Sequence, residues 1–131
     1  LVLIGDAFAF LDPVFSSGVY LALTTGSLGA DAVEKALAEG NTGGEQFSDY
    51  GERVCQGIEW MRKLVYAFYD EDFSFKDVVT KYAEVRRDLT DCLIGDLIDK
   101  DYTELFDRVS EFAELPKELP HGKVARGRAL V

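Results

Sequence analysis

The chain has 131 residues and a formal net charge of −10, from 14 basic and 24 acidic side chains. An acidic surface of this kind repels phosphate backbones, so we expect no nucleic-acid partner. The uncharged stretch 13–30 is nearly long enough to cross a membrane, but Pro13 and the glycine and hydroxyl side chains favour a buried helix. We therefore expect no membrane span.

The two cysteines, Cys55 and Cys92, lie far apart in helical patterns and lack the short spacing of a metal or redox motif. We interpret them as free, buried thiols of a cytoplasmic protein. We recognise no signal or transit peptide in the sequence, and we expect a cytoplasmic location.

The N-terminal stretch, LVLIGDAFAFLDPVFSSGVY, is the part of the chain whose residue order needs a chemical explanation. Its first four apolar residues predict a strand buried on both faces, and Gly5 and Asp6 follow at the carboxyl end, where ligands bind in open α/β sheets. Pro13 predicts a second interruption of regular secondary structure, and residues 15–18 lead into an uncharged helix. Free amides at such a helix start attract anions.

Apolar periodicity predicts a mainly α-helical chain, with about four helices that follow one short strand at residues 1–5. The second helix is the clearest, because apolar side chains recur at steps of three and four throughout it. Gly40 predicts the end of the first helix, and Ser74 with Asp77 forms a capping pattern before the third. The expected helix bounds are 18–38, 45–70, 75–98 and 102–115.

Two features of the helices leave alternatives open. Gly26 and Gly29 each weaken the first helix by roughly 1 kcal/mol relative to alanine. Either the close approach of a backbone or cofactor, or tight packing in an ordinary core, must compensate. Trp60, Tyr66 and Tyr69 widen the apolar surface of the second helix. They indicate a face turned towards a substrate cavity or another domain or, as we favour, a helix packed between two others.

Two further features invite a chemical interpretation that we reject. The acidic run 70–72 has no histidine nearby, and its carboxylates point in different directions, so we expect a solvated loop and no metal site. His121 has no acidic or nucleophilic partner that the sequence can assign, so we interpret it as a loop residue. We assign no catalytic residue in this chain.

The N-terminal stretch resembles the second flavin-binding motif of the FAD-dependent monooxygenase superfamily, which includes aromatic hydroxylases, geranylgeranyl reductases and flavin-dependent halogenases. The shared pattern is a strand, GDA at residues 5–7, Pro13, and a glycine-containing turn into a helix. The form DPVFSSG at residues 12–18 is most similar to halogenases that act on phenolic or pyrrolic substrates. Residues 64–70, LVYAFYD, are similar to an aromatic-rich helix end in the same enzymes.

The resemblance implies that this stretch binds FAD. Asp6 would accept a hydrogen bond from the ribityl chain, and Pro13 would pack beside the isoalloxazine ring. The amides at the helix start would face the pyrimidine edge of the flavin, where the helix dipole stabilises the negative charge of the reduced ring. The residues given a cofactor-binding role in this way are Gly5, Asp6, Pro13, Gly18, Val19 and Tyr20.

The resemblance also implies a halide site. The backbone amides of Ser17 and Gly18 would hold chloride or bromide, which small residues allow to approach without meeting a Cβ atom. Tryptophan halogenases carry a glutamate at the position of Phe15, and phenylalanine cannot accept a proton. The implied substrate is therefore an activated phenolic or pyrrolic ring, often tethered to a carrier protein, and the implied partner is a flavin reductase that supplies reduced FAD.

We expect the chain to be the C-terminal part of a larger α/β FAD-binding fold of the aromatic-hydroxylase type. The dinucleotide fingerprint G-x-G-x-x-G and the family's lysine would then lie before residue 1, since neither is matched here. Residues 1–38 would end the FAD-binding domain, residues 39–116 would form a helical region, and residues 117–131 an irregular tail. Alone, the chain would be inactive and would not retain FAD, because the ADP half of the site is missing.

The leading hypothesis is an FAD-dependent halogenase that uses reduced flavin, oxygen and a halide to halogenate an electron-rich aromatic ring. An alternative is another FAD-dependent monooxygenase or a reductase of the same superfamily. A second alternative is a non-enzymatic helical interaction domain with a coincidental opening motif. A W-x-W-x-I-P pair before residue 1 would favour the first, and a G-x-G-x-x-G there would exclude the last.

Overall fold

The computed structural model describes residues 1–120, and helices dominate it, which confirms the prediction of a mainly α-helical chain. His121 and the rest of the predicted tail up to residue 131 lie outside the described residues. The α-helices are α1 Gly18–Ala38, α2 Ser48–Phe68, α3 Phe75–Lys81, α4 Arg86–Leu93 and α5 Thr103–Val109. Single 3-10 turns occupy Gly5–Ala7, Pro13–Phe15, Gly44–Phe47 and Ala83–Val85.

The first helix has the predicted bounds, and Gly40 ends it as expected. Gly40 has a φ of +64°, and Asn41 N donates to Ala36 O at 3.0 Å while Gly40 N donates to Leu37 O at 3.2 Å. This is the common C-terminal cap in which a glycine in the left-handed conformation lets the following amides donate hydrogen bonds to the last carbonyl groups of the helix. Within residues 1–120, no helix is both long and apolar enough to cross a bilayer.

The N-terminal segment does not form the expected strand, and residues 1–120 contain no strand. Ile4 is extended, with φ −135° and ψ 161°, but a strand also requires a hydrogen-bonded neighbour. The segment lies on α1 and α2 instead. Tyr50 Oη donates to Leu3 O at 2.6 Å, and a Cβ added at Gly29 would stand 3.2 Å from Ile4 Cγ2. The small size of Gly29 therefore serves the close approach of this segment.

The helix α2 forms the centre of the core. Val54, Met61 and Leu64 on it are fully buried. Trp60 is also buried, its ring stacked on Phe106 with 5.5 Å between centroids, as expected for a helix packed between others. By contrast, Tyr66 and Tyr69 are 53% and 57% exposed, while Ala67 between them is fully buried, so the end of α2 has one face in the core and one face outside it.

The predicted third helix, 75–98, is divided at Tyr82, whose backbone leaves the helical region with φ −128° and ψ 79°. The Tyr82 hydroxyl donates to Glu111 at 2.6 Å, Lys81 pairs with Glu111 at 2.8 Å, and the Arg108 guanidinium lies 4.5 Å from the centre of the Tyr82 ring. These contacts with the α5 region override the local helical preference.

The remaining helix ends differ from the sequence expectation in detail. Ser74 precedes α3 as predicted, but its side chain makes no capping hydrogen bond. Gly95, with a φ of +89°, closes α4 early, and Asp96 N donates to Asp91 O at 3.0 Å. The last helix ends at Val109 and not at residue 115. Directly after it, the Ser110 hydroxyl donates to the backbone carbonyl of Asp107, a local bond that competes with continuation of the helix.

Both cysteines are free thiols, and the prediction that they are buried holds fully for Cys92 only. Cys55 is half-buried on α2. Burial disfavours the thiolate and raises the pKa of Cys92 to about 12. Burial likewise raises the pKa of Cys55.

Two glycines of α2 provide a test of its packing. A Cβ at Gly57 would stand 2.8 Å from Ile98 Cδ1 and 3.3 Å from Leu97 O. We expect Gly57→Ala to lower the free energy of unfolding by about 1–3 kcal/mol through overpacking. At Gly51 an added Cβ would meet nothing within 4 Å, so Gly51→Ala should raise it by about 0.5–1 kcal/mol through helix propensity. Urea unfolding measures both, and equal effects would contradict the packing described here.

Candidate functional site

A cleft of about 220 Å³ opens at the N-terminal end of α1, next to the two short turns that precede the helix. We call it the α1 cleft. It combines two carboxylates with small turn residues and several apolar side chains. Its described lining consists of Asp6, Ala9, Phe10, Leu11, Asp12, Pro13, Ser16, Ser17, Gly18, Val19 and Leu21.

Gly5 fixes the first turn against α1 from behind the cleft. It has a φ of +52°, and a Cβ there would stand 3.3 Å from Ala22 Cβ, so both the backbone conformation and the space favour glycine. Gly5 N donates to Thr25 Oγ1 at 2.8 Å, and Thr25 Oγ1 donates to Leu21 O at 2.6 Å. The buried Thr25 side chain thereby ties the turn to the helix interior.

The second turn is held by its own side chains. Asp12 Oδ1 accepts a hydrogen bond from Val14 N at 2.8 Å, which caps the turn Pro13–Phe15. Ser16 N donates to Pro13 O at 2.9 Å. Ser16 itself has a φ of +52°, an uncommon conformation for a residue with a Cβ. The turn therefore places its left-handed residue at Ser16, and Gly18 has no positive φ.

The first amides of α1 lie at the α1 cleft. The bond from Leu21 N to Ser17 O, at 2.9 Å, is the first of the helix, so the amides of residues 18–20 precede it and are left out of the helix ladder. The positive end of the helix dipole lies there too. A Cβ at Gly18 would stand 3.9 Å from Asp6 Oδ1, so the Asp6 carboxylate lies beside the helix start.

The structure brings five of the seven predicted site residues together at the α1 cleft, and these are Asp6, Pro13, Ser17, Gly18 and Val19. Gly5 does not line the cleft, because its contacts are with α1. The Tyr20 side chain packs instead towards the core, 3.4 Å from where a Cβ of Gly95 would stand. Only the backbone amide of Tyr20 belongs to the helix start.

Sequence reasoning missed two contacts at the second turn. Tyr69 Oη donates to Asp12 Oδ2 at 2.9 Å, and Phe15 packs edge to face against Phe68 with 5.2 Å between ring centroids. The hydrogen bond to the Asp12 carboxylate raises the pKa of Tyr69. The aromatic helix end at 64–70 is recognisable in the sequence, but nothing in its spacing indicates a partner 57 positions away.

The α1 cleft suits one edge of a flat ligand that carries negative charge or acceptor atoms. The helix start offers amide donors, Asp6 offers an acceptor for a hydroxyl group, and Phe10 and Val19 offer apolar contact. At about 220 Å³ it is smaller than a complete small-molecule pocket, which usually has roughly 300–1,000 Å³. The residues present therefore fit the edge of a flavin ring, and the rest of FAD would need further protein.

A second cleft, of about 690 Å³, runs along α2, and we call it the α2 cleft. Its described lining includes Cys55 and the carboxylates of Glu52, Glu59 and Glu118, which disfavour an anion. Glu59 pairs with Arg62 at 2.9 Å. Within residues 1–120, no group of three or more His, Cys, Asp or Glu side chains could hold a metal ion. The α1 cleft thus remains the candidate anion site.

Comparison with known proteins assigns the chain to a family. A sequence model of the tryptophan halogenase family matches residues 1–84, which contain the α1 cleft and both long helices. The chain belongs to the tryptophan halogenase family. The match includes every residue for which a role in binding FAD or a halide was predicted.

Two curated relatives accompany this family match. A 1H-pyrrole-2-carbonyl-(peptidyl-carrier protein) chlorinase of Pseudomonas fluorescens is 29% identical over 110 residues, which are 84% of this chain and 24% of that protein. A digeranylgeranylglycerophospholipid reductase of Methanospirillum hungatei is 30% identical over 81 residues, which are 62% of this chain and 19% of that protein. The chain thus spans about a quarter or less of the relatives' length.

The buried bond between Gly5 and Thr25 yields a second test. Thr25→Val keeps the side-chain volume but removes the acceptor of the Gly5 amide, so we expect the free energy of unfolding to fall by about 1–3 kcal/mol. Thr24→Val is the matched control on the neighbouring, half-buried position, with an expected change within about 0.5 kcal/mol. Urea unfolding compares the two, and an equal loss in both variants would refute the role of Thr25.

Proposed function

We propose that the protein to which this chain belongs is an FAD-dependent halogenase that acts on an electron-rich aromatic ring, phenolic or pyrrolic. The observation that carries the proposal is the α1 cleft, where five residues with a predicted role in binding the flavin or the halide meet at the start of one helix. The family match supports halogenation as the reaction. The similarity to a chlorinase of a carrier-bound pyrrole supports a pyrrole-like substrate, tethered to a carrier protein.

In this proposal the chain holds the flavin and the halide chiefly through its backbone. Asp6 accepts from the ribityl chain, Pro13 packs beside the ring, and the amides of residues 18–20 donate to its negatively charged edge. Chloride or bromide lies on the amides of Ser17 and Gly18. When bound and reduced by a flavin reductase, FAD would supply the two electrons that reduce oxygen to the peroxide level, and this oxidant would take two electrons from the halide to give the halogenating species.

Phe15 supports a substrate other than tryptophan. Its ring is packed against Phe68, with 5.2 Å between centroids, and it has no group that could take up or release a proton. Proton transfer at this position is therefore unnecessary in the proposed reaction, which suits a ring that is already electron-rich. The catalytic lysine is assigned to a part of the protein outside this chain.

The proposal divides the chain as the sequence suggested. Residues 1–38 complete an FAD-binding domain and residues 39–116 form a helical region, while most of the predicted tail 117–131 lies outside the described residues. On its own, the chain is proposed to be inactive and to retain no FAD, because the α1 cleft accommodates only one edge of the ring.

A second candidate is a flavin-dependent reductase or hydroxylase of the same superfamily. The similarity to a digeranylgeranylglycerophospholipid reductase favours it, because that relative is 30% identical to the chain over 81 residues. The two candidates differ in their need for a halide. A reductase or a hydroxylase would turn over without one.

Gly18→Val tests the halide site in the complete protein, with chemically reduced FAD supplied in place of the reductase. A Cβ at Gly18 has room and no positive φ to oppose it, so the variant should fold. Its methyl groups would occupy the α1 cleft where the anion must approach. We expect halide-dependent product formation to fall by about a hundredfold, comparable to the loss of a donor to a developing anion, and by far more than bound FAD, whose edge meets the same helix start.

Ser17→Ala is the matched control, since it removes a hydroxyl group but keeps the amide. If the backbone is the ligand, its activity should stay within about threefold of the wild type, which is less than 1 kcal/mol of transition-state stabilisation. Wild-type activity in Gly18→Val would exclude this turn as the halide site. A hydroxylated product formed without any halide would transfer the assignment to the second candidate.

A further inference from the structure

We propose that Tyr69 and Phe68, at the end of α2, are positioning residues that hold the turn of residues 12–17 in its working geometry. The inference rests on the proposed function, because this turn carries part of the proposed halide site. Tyr69 does not line the α1 cleft, so it acts through Asp12 and not on the ligand. The end of α2 would thereby support the proposed halide site without contacting the halide.

One carboxylate connects Tyr69 to the backbone of the turn. Asp12 Oδ2 accepts from Tyr69 Oη at 2.9 Å, while Asp12 Oδ1 accepts from Val14 N at 2.8 Å. The Asp12 side chain therefore cannot rotate without breaking one of these two bonds. A hydrogen bond to an ionised acceptor is stronger than one between neutral groups, so the phenol fixes the cap of the turn.

The second link is apolar and lies at the other end of the same turn. The rings of Phe15 and Phe68 meet edge to face, 5.2 Å apart and at 75°, an arrangement that aromatic pairs prefer. Phe15 directly precedes Ser16, whose positive φ is uncommon for a non-glycine residue. By packing against Phe15, Phe68 thus stabilises the turn next to Ser16, the residue with the unfavourable backbone conformation.

These two links are joined to each other and to the helical region. Phe68 and Tyr69 lie 5.4 Å apart at their ring centroids. Phe68 also stacks near Phe75, at 6.4 Å, and Phe75 meets Phe73 at 4.8 Å. The turn is therefore anchored to the junction between α2 and α3. Because Tyr69 is 57% exposed, its hydroxyl contributes little to overall stability, and its loss should move the turn without unfolding the protein.

Tyr69→Phe in the complete protein tests the polar link. We expect the KM for the halide to rise about tenfold, the equivalent of one hydrogen bond, with kcat and bound FAD within about twofold. Tyr66→Phe is the matched control, because Tyr66 is 53% exposed on the same helix and packs under the Arg62 guanidinium at 5.7 Å. It should leave the KM unchanged.

A double-mutant cycle with Asp12→Ala identifies the path, because alanine removes the acceptor of the Tyr69 hydroxyl. If Tyr69 acts through Asp12, then adding Tyr69→Phe to Asp12→Ala should change the KM for the halide by less than about twofold. Additive effects would overturn the proposed connection. So would an unchanged KM in Tyr69→Phe when the wild type has normal halide-dependent activity.

A structural measurement separates this inference from the proposed function. Hydrogen exchange of the amides of Val14 and Ser16, followed by mass spectrometry of the complete protein, should become several-fold faster in Tyr69→Phe and stay unchanged in Tyr66→Phe. If the wild type forms no halide-dependent product, the proposed function fails, and this exchange comparison alone decides whether Tyr69 positions the turn. Unchanged exchange in Tyr69→Phe would refute the inference whatever the reaction.

Discussion

The hydrogen bond between Gly5 N and Thr25 Oγ1 is the contact on which the geometry of the candidate site depends. It connects the first turn of the chain to the interior of α1, and it requires the left-handed backbone that Gly5 provides. The Asp6 carboxylate can lie beside the helix start only because the turn is held there. The buried hydrogen bond from Gly5 N to Thr25 Oγ1 thus places the Asp6 carboxylate beside the free amides of α1.

The helix α2 has a different role at each point along its length. Its middle fills the core with Val54, Met61 and Leu64. Near these residues it also buries Glu59, which is only 3% exposed and is paired with Arg62. A buried ion pair of this kind is costly unless its remaining donors are satisfied, and Arg62 donates further to the carbonyl oxygen of Lys117. The same helix therefore supports the core, the last described residues and the turn before α1.

The features predicted correctly from sequence are those that neighbouring residues determine. The apolar period of α2 and the end of α1 at Gly40 are local in this sense. The structure also places Asp6, Ser17 and Gly18 together around a helix start, and their roles stay a prediction. The break at Tyr82 depends on Glu111, 29 positions away, which no local pattern contains. The expected strand failed for a related reason, because an extended segment becomes a strand only beside a partner, and none is present in residues 1–120.

The unequal burial of the two cysteines means that a thiol reagent should label one of them selectively in the folded chain. A maleimide or a disulfide reagent attacks through the thiolate, and burial keeps Cys92, with a pKa of about 12, almost entirely protonated at neutral pH. Cys55 also has a raised pKa, but it is half-buried in the wall of the α2 cleft. A thiol-reactive dye would therefore attach slowly to Cys55 in the native protein and report on the α2 cleft without any engineered cysteine. Full modification of both thiols would measure the unfolded fraction instead.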